Sequence, residues 1–377
     1  MSALEKIMNK IFFTLMIFGS SIAFSNTCSG DNCYKPCCNN YSGNCFSCGC
    51  APCDCCCECV PRPSLVAPCD EAYNAPYRIG VCWEVFISGS FLYWQTIVDG
   101  LQPGAILNDA GSTTYETLDF DYEYNPGFKV AFGFNFNWDN WDFVSEYTWL
   151  HQTVDVSDSG TGNLYSFWND ACDLDKLTTR WKFDFDQVDF GFGRAYFSGY
   201  RLILRPHFGG RVFWLTQNYD QTTTSTDADV QTECRGTAHF SDWAIGPRVG
   251  VQSKWCFCYG FCFYANAGAS LLYTEFESIF VTRNLCEDTE INKKESDRIT
   301  FTNEFDIGFG LEWGNYVDAC NKWHLTLSAG YEASCYVDQN PWNCLSTSIA
   351  EKKSLVNPTC SNNLYFHGLT ATARLDF

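Results

Sequence analysis

Arg298-Ile299-Thr300-Phe301-Thr302-Asn303-Glu304-Phe305-Asp306-Ile307-Gly308-Phe309-Gly310-Leu311-Glu312-Trp313 decides the fold. Ile299, Phe301, Phe305, Ile307, Phe309, Leu311 and Trp313 fall on one parity. Thr300, Thr302, Glu304, Asp306, Gly308 and Glu312 fall on the other. A period of two is the signature of a strand with one apolar face. The run is also longer than a usual globular strand of about 5 to 6 residues. Its length suits a tilted strand that crosses a bilayer with roughly 9 to 11 residues and protrudes at both ends.

The same alternation recurs along the chain. Phe128, Val130, Phe132, Phe134, Phe136 and Trp138 lead to Asp139-Asn140, and Trp141, Phe143, Ser145, Tyr147 and Trp149 lead away from it, a hairpin pattern. Ten segments read this way: 82–96, 125–138, 141–152, 180–197, 200–215, 240–254, 257–275, 299–313, 322–337 and 364–377. Short turns at 139–140, 198–199, 255–256 and 314–321 alternate with long polar connections at 97–124, 153–179, 216–239, 276–298 and 338–363. Short turns at one end and long loops at the other describe an outer-membrane barrel. The fold expected is therefore all-β: a transmembrane antiparallel up-and-down β-barrel over residues 80–377, with about ten strands, or 12 to 16 if the long loops pair. Glu116, Leu118, Phe120 and Tyr122 alternate inside the first long loop and point to extra strands there.

Composition agrees. Aromatic residues make up 17% of the 377 residues and charged ones 18%, so the apolar content is carried by alternation. No stretch supplies the roughly 18 to 20 apolar residues of a spanning helix. With 24 basic residues against 44 acidic ones, the net charge of −20 gives no footprint for nucleic acid. A soluble β-sandwich would explain the alternation, but not aromatics repeating on a face opposite a charged one.

The N-terminus sets the compartment. Lys6 and Lys10 precede the apolar run Ile11–Phe18, and Ala23-Phe24-Ser25 offers a cleavage site, the layout of a secretory signal peptide over residues 1–25. Residues 26–79 form a separate periplasmic segment that ends in a linker containing Pro61, Pro63, Pro68 and Pro76. Twelve of the 24 cysteines lie between positions 28 and 59 of this segment: Cys28, Cys33, Cys37, Cys38, Cys45, Cys48, Cys50, Cys53, Cys55, Cys56, Cys57 and Cys59. Pairs such as Cys45/Cys48 have the spacing of thiolate metal ligands. Export and the absence of histidine favour disulfides, within or between chains, over a metal.

At the other end, Tyr365, His367, Leu369, Ala371, Ala373, Leu375 and Phe377 alternate with Phe366, Gly368, Thr370, Thr372, Arg374 and Asp376. A final aromatic on such a strand resembles the signal read by the barrel assembly machinery, which makes Phe377 the candidate assembly residue. With Gly89-Ser90-Phe91-Leu92-Tyr93-Trp94 in the first strand and Tyr124-Asn125-Pro126-Gly127-Phe128-Lys129-Val130 opening the second, the chain resembles the major outer membrane proteins of Legionella and Chlamydia-like bacteria. The resemblance covers about residues 80–377. It implies a surface-exposed porin, disulfide-crosslinked in the envelope.

If the apolar parity faces lipid, the polar one faces the lumen. Strand 200–215 then sends Arg201, Arg205, His207 and Arg211 inward, a candidate selectivity row. Asp184, Asp186, Glu304 and Asp306 are the acids expected to neutralise it. His367 is expected on the lipid side. No HExxH pattern or G-x-S-x-G elbow is present, so the chain is read as non-enzymatic and without a cofactor. Outer-membrane lipid, the assembly machinery and disulfide-linked envelope proteins are the expected partners, and a homo-oligomer is compatible. Two functions fit: passive diffusion of small hydrophilic solutes, or a structural and adhesive surface protein anchored by the barrel. Conduction separates them.

Overall fold

The computed structural model describes residues 84–377 except 108–114, 137–139, 169–173, 199–200, 228–229, 286–288, 296–297, 318–322 and 341–361. The signal peptide and cysteine-rich segment read from the sequence lie outside these residues.

Among the described residues fourteen strands form one antiparallel sheet: β1 Glu84–Val98, β2 Gly104–Leu107, β3 Tyr115–Leu118, β4 Tyr124–Asn135, β5 Trp141–Ser166, β6 Leu174–Arg194, β7 Tyr196–Ser198, β8 Leu202–Asp227, β9 Val230–Cys256, β10 Phe261–Leu285, β11 Thr289–Glu295, β12 Arg298–Tyr316, β13 His324–Asn340 and β14 Asn362–Asp376. Ten are staves. β1 pairs with β4 on one side and with β14 on the other, through Phe91↔Ala371, and this closes the cylinder. Closure leaves no free sheet edge inside the membrane, where an unpaired backbone group would cost several kcal/mol. Val85 and Phe377 exchange both backbone hydrogen bonds, so the first and last staves meet at the short-turn end.

The two faces follow parity. Outward positions are apolar and exposed, with Phe301 at 64%, Leu369 at 58% and Val249 at 58%. Trp141, Trp255, Trp313 and the stacked Trp323–Phe377 pair ring the turn end. Tyr93, stacked on Tyr124 at 5.4 Å, stands with Trp149, Trp243 and Tyr273 toward the loop end. Two aromatic girdles bounding an apolar band mark the membrane-facing belt. His367 faces outward as expected, its Nδ1 2.6 Å from the Tyr331 hydroxyl.

All ten segments expected from the sequence are staves, but five of them run much further. β5, β6, β8, β9 and β10 have 21 to 27 residues each, and continue through stretches read above as loops. At about 3.3 Å per residue and a tilt near 45°, 26 residues rise about 60 Å, so roughly 35 Å stands beyond an apolar band of about 25 Å. The β2–β3 hairpin adds to this projecting wall at β5, and β11 adds at β10. The long loops therefore pair as extensions of staves and as a lid, and the barrel count stays at ten. The Thr-rich run Thr222–Thr226 illustrates why: β-branched side chains favour strand even where both faces are polar.

Candidate functional site

The interior changes character along its axis. On β6 the inward residues read Trp181, Phe183, Phe185, Gln187, Asp189, Gly191 and Gly193 from loop end to turn end. On β8 they read Tyr219, Gln217, Leu215, Phe213, Arg211, Gly209, His207 and Arg205 in the same direction. The loop-end half is aromatic, the middle is charged, and the turn-end half is polar.

The aromatic half is packed solid. Phe183, Phe185, Phe213, Tyr336 and Phe366 are all at most 2% exposed. Phe185 meets Tyr336 with ring centroids 5.9 Å apart, and these lie on β6 and β13, five staves apart in either direction around the ring of ten. Rings from diametrically opposite walls therefore touch. Phe185–Phe366 at 4.8 Å, Phe183–Phe366 at 5.8 Å and Phe213–Tyr336 at 5.4 Å complete the layer. An eight-stranded barrel is just filled by side chains, and a ten-stranded one is only slightly wider, so large rings suffice to close it.

Above this layer the first long loop folds inward. Its Phe120 packs on Trp181 at 6.2 Å, and Trp168 of the second long connection packs on Tyr219 at 4.5 Å. Gln95 Nε2 donates to Tyr122 O, Tyr122 donates to Val98 O, and Gln221 Nε2 donates to Pro103 O at 2.9 Å. A second apolar cluster of Leu164, Leu174 and Leu177, with Ile106 and Leu118 against it, seats the β2–β3 hairpin.

Beneath the rings lies a belt of ion pairs. Arg211 binds Asp189 with Nε at 2.6 Å and Nη2 at 2.8 Å, and its Nη1 reaches Glu304 at 2.5 Å. Arg248 holds Asp306 at 2.5 Å. Lys129 lies between Glu332 at 2.7 Å and Glu146 at 3.7 Å. Tyr336 joins belt and rings: its hydroxyl donates to Gln187 Oε1 across the barrel and accepts from Arg211 Nη1 at 3.4 Å. Nearer the turn end, Arg205 pairs with Asp142, Lys254 with Glu312, and Arg374 with Asp376.

The belt surrounds a chamber of about 510 Å³. Its lining runs from Phe185, Tyr336 and Phe366 at the roof to Asn140, Ala195 and Phe197 at the turn-end rim. Glycine keeps the walls low. A β-carbon at Gly268 would stand 2.7 Å from Asp306 Oδ1 and 2.9 Å from Arg248 Nη2, so that ion pair lies flat only over a bare backbone.

The structure sorts the sequence-predicted residues. Arg205, His207 and Arg211 line the chamber, and Glu304 and Asp306 bind the belt arginines. Asp184 and Asp186 do not belong there. They share the parity of outward Phe190 and Phe192, and they flank outward His151 at 3.3 and 3.1 Å near the loop-end girdle. Phe183 and Phe185 take the inward positions instead. Reading aromatic as outward fails on this stretch, because above the membrane the inward face holds the rings. Arg201 stands exposed at the turn, outside the chamber lining. Lys129, Glu146, Asp189, Arg248, Glu332 and Tyr336 were not singled out. Parity counted back from Phe128, Phe190 or Val249 places them inward.

Outside the membrane the projecting wall carries paired charges. Asp155 accepts from Arg180 at 2.7 and 3.1 Å, and the guanidinium holds that carboxyl below its usual range. Arg235 pairs with Asp220 at 2.8 Å. At the turn end Cys256 and Cys262 form a disulfide across the β9–β10 hairpin; Cys258 in the same turn and Cys234 at the loop end of β9 are each in a disulfide as well. Among the described residues no three His, Cys, Asp or Glu side chains converge as a metal site.

The family profile of the Legionella pneumophila major outer membrane protein precursor matches residues 82–377. The chain belongs to that family. The match spans the whole barrel and places the protein in the bacterial outer membrane. No curated protein matches the chain. Among solved structures, the outer membrane protease OmpT from Escherichia coli is similar at 10% identity and a TM-score of 0.41, over 78% of this chain and 96% of that one. A major outer membrane protein from Thermus thermophilus is similar at 11% identity and a TM-score of 0.31, over 78% and 99%. A FadL homologue of Pseudomonas aeruginosa is similar at 6% identity and a TM-score of 0.26, over 78% and 90%. Scores this low leave the family match as the basis of the assignment.

Proposed function

We propose that this family member is a structural surface protein of the outer membrane, with a barrel that anchors a tall projecting wall and does not act as an open diffusion pore. The observation that carries the reading is the contact of Phe185 and Tyr336 from opposite walls, inside a layer with five side chains at most 2% exposed. A water-filled path needs an open lumen, and packed rings exclude water. The projecting wall and its lid supply the surface for contact outside the cell. The oxidised cysteines of the barrel fit a crosslinked envelope, in which the segment 28–59 would bond neighbouring proteins. The reading is non-enzymatic, with lipid and the assembly machinery acting on Phe377 as further partners.

A second reading, a diffusion channel, is favoured by the charged chamber on the turn side of the rings. Liposome swelling separates the two. Vesicles holding the folded, heat-modifiable barrel should shrink in arabinose and fail to recover, as protein-free vesicles do. Recovery at a rate proportional to inserted protein would overturn the anchoring reading and establish the channel.

A further inference from the structure

On the loop side of the girdle the interior buries an acid without a base. Asp242 stands one residue beyond the girdle Trp243, and its backbone pairs with Leu215 of β8 and Phe276 of β10. It is 5% exposed, and among the described residues no lysine, arginine or histidine pairs with it. Its Oδ2 accepts from Gln339 Nε2, while its Oδ1 is sealed from water and has no hydrogen-bond partner. The charged group that acts on it is Glu277 of β10, an exposed carboxylate of the same sign.

β13 breaks its own alternation to reach this acid. Tyr336 faces inward, so an unbroken strand would turn Gln339 outward. Asp338 takes a left-handed φ of 61°, the register against β14 shifts between Tyr336 and Asn340, and Gln339 turns inward, 1% exposed. A bulge that re-aims one side chain is a built feature. Gln339 Oε1 in turn accepts from Thr302 at 2.8 Å, and Thr274 donates to Thr302 at 2.9 Å. Both threonines are fully buried, so the network ties β9, β10, β12 and β13 together in a dry core.

An ionised carboxylate offers about four acceptor sites, and here Gln339 fills one. Burial, only partly offset by the Gln339 bond and reinforced by Glu277, holds the Asp242 carboxyl well above the usual carboxylate range. We propose that Asp242 is a proton-operated latch on the loop-end core. Protonated, it keeps Gln339 and the end of β13 bound to β9. When the proton passes to solvent, the carboxylate draws water to Oδ1 and that end of β13 is released. The latch goes beyond the anchoring role, and it serves a closed barrel and a conducting one alike.

The folded chain keeps a proton that the unfolded chain sheds near the ordinary aspartate pKa of about 3.9. Asp242 therefore makes stability fall as pH rises from there, until the buried carboxyl itself ionises. Within that window the unfolding constant gains up to about tenfold per pH unit. Urea unfolding of the full-length barrel in vesicles, repeated from pH 5 to pH 8, tests this against Asp242→Asn, which keeps the acceptor for Gln339 and cannot ionise. The ratio of unfolding constants, wild type over variant, should rise at least tenfold between pH 5 and pH 7. Asp242→Leu, equally unable to ionise, should give the same rise. The infrared stretch of protonated carboxyls at pH 7 should lose one group in either variant. Hydrogen exchange compared at equal pH should find the amides of residues 337–340 less protected in the wild type than in Asp242→Asn at pH 8, and equally protected at pH 5. Arg298→Gln, which removes the base that follows Phe276 in the same register row, should leave the wild-type pH dependence unchanged. Parallel profiles for the wild type and both Asp242 variants, an unchanged infrared band, or a pH dependence that Arg298→Gln alters would each overturn the proposal.

Discussion

Replacing Phe366 with alanine removes the ring at the centre of the closing layer. Phe366 is 1% exposed, with ring neighbours Phe185 at 4.8 Å, Tyr336 at 5.7 Å, Phe183 at 5.8 Å and Trp94 at 6.4 Å. Truncating a packed phenylalanine costs about 3 to 5 kcal/mol, through lost transfer energy plus about 24 cal/mol per Å³ of residual cavity. Four ring neighbours on three other staves limit collapse, so we expect the upper part of that range, about 4 kcal/mol. Phe366→Leu keeps most of the volume and should cost under about 1.5 kcal/mol. Reversible urea unfolding in phospholipid vesicles, followed by tryptophan fluorescence, measures both. The midpoint should fall with little change in slope. A cost below about 1 kcal/mol for Phe366→Ala would mean that the ring lies against water, and the reasoning behind a packed lumen would fail.

Further outcomes follow from the same contacts. The combined variant Phe185→Ala/Phe213→Ala/Phe366→Ala removes three of the rings that close the lumen and should conduct in planar bilayers; bilayers that stay at the lipid baseline would refute the role of these rings as the closure. Arg211→Ala leaves Glu304, whose side chain is fully buried, without its closest base, and should destabilise the barrel by about 3 to 5 kcal/mol in the same urea titration; a change within error would show that the pair is hydrated. Alkylation of the unreduced protein followed by peptide mass spectrometry should find Cys256 and Cys262 linked and Cys335 modified. Cys256→Ser/Cys262→Ser should cost about 2 kcal/mol for so short a loop in the chain-entropy account, and a fully alkylated Cys256 would show the bridge absent.

The sequence disclosed the barrel because its signal is repeated ten times and every repeat has the same two-sided environment. Lipid demands apolar side chains on one parity whatever the neighbouring staves contain, so Ile299 to Trp313 can be read alone. The height of the wall was hidden for the opposite reason. In Thr222–Thr226 four of the five residues are threonine on both parities, so the run carries no alternation that distinguishes a strand from a loop, although Thr223 is buried on the inward face. The closed lumen was hidden by a change of rule along one strand. On β6 the outward residues are Phe192 and Phe190 in the membrane, then Asp186 and Asp184 beyond it, while Phe185, Phe183 and Trp181 turn inward. A reader who follows the aromatics slips by one residue there, and a one-residue slip exchanges the two faces. Charge partners such as Lys129 with Glu332 join β4 to β13, 203 residues apart, and only closure of the sheet brings them together.

Planar-bilayer recording of the unmodified barrel tests the central claim most directly. With insertion verified by heat-modifiable migration and by protease protection of the membrane belt, the account predicts bilayers that stay at the baseline conductance of lipid alone across moderate voltages. Stepwise current from the wild-type protein, at a level that scales with the number of inserted barrels, would contradict it.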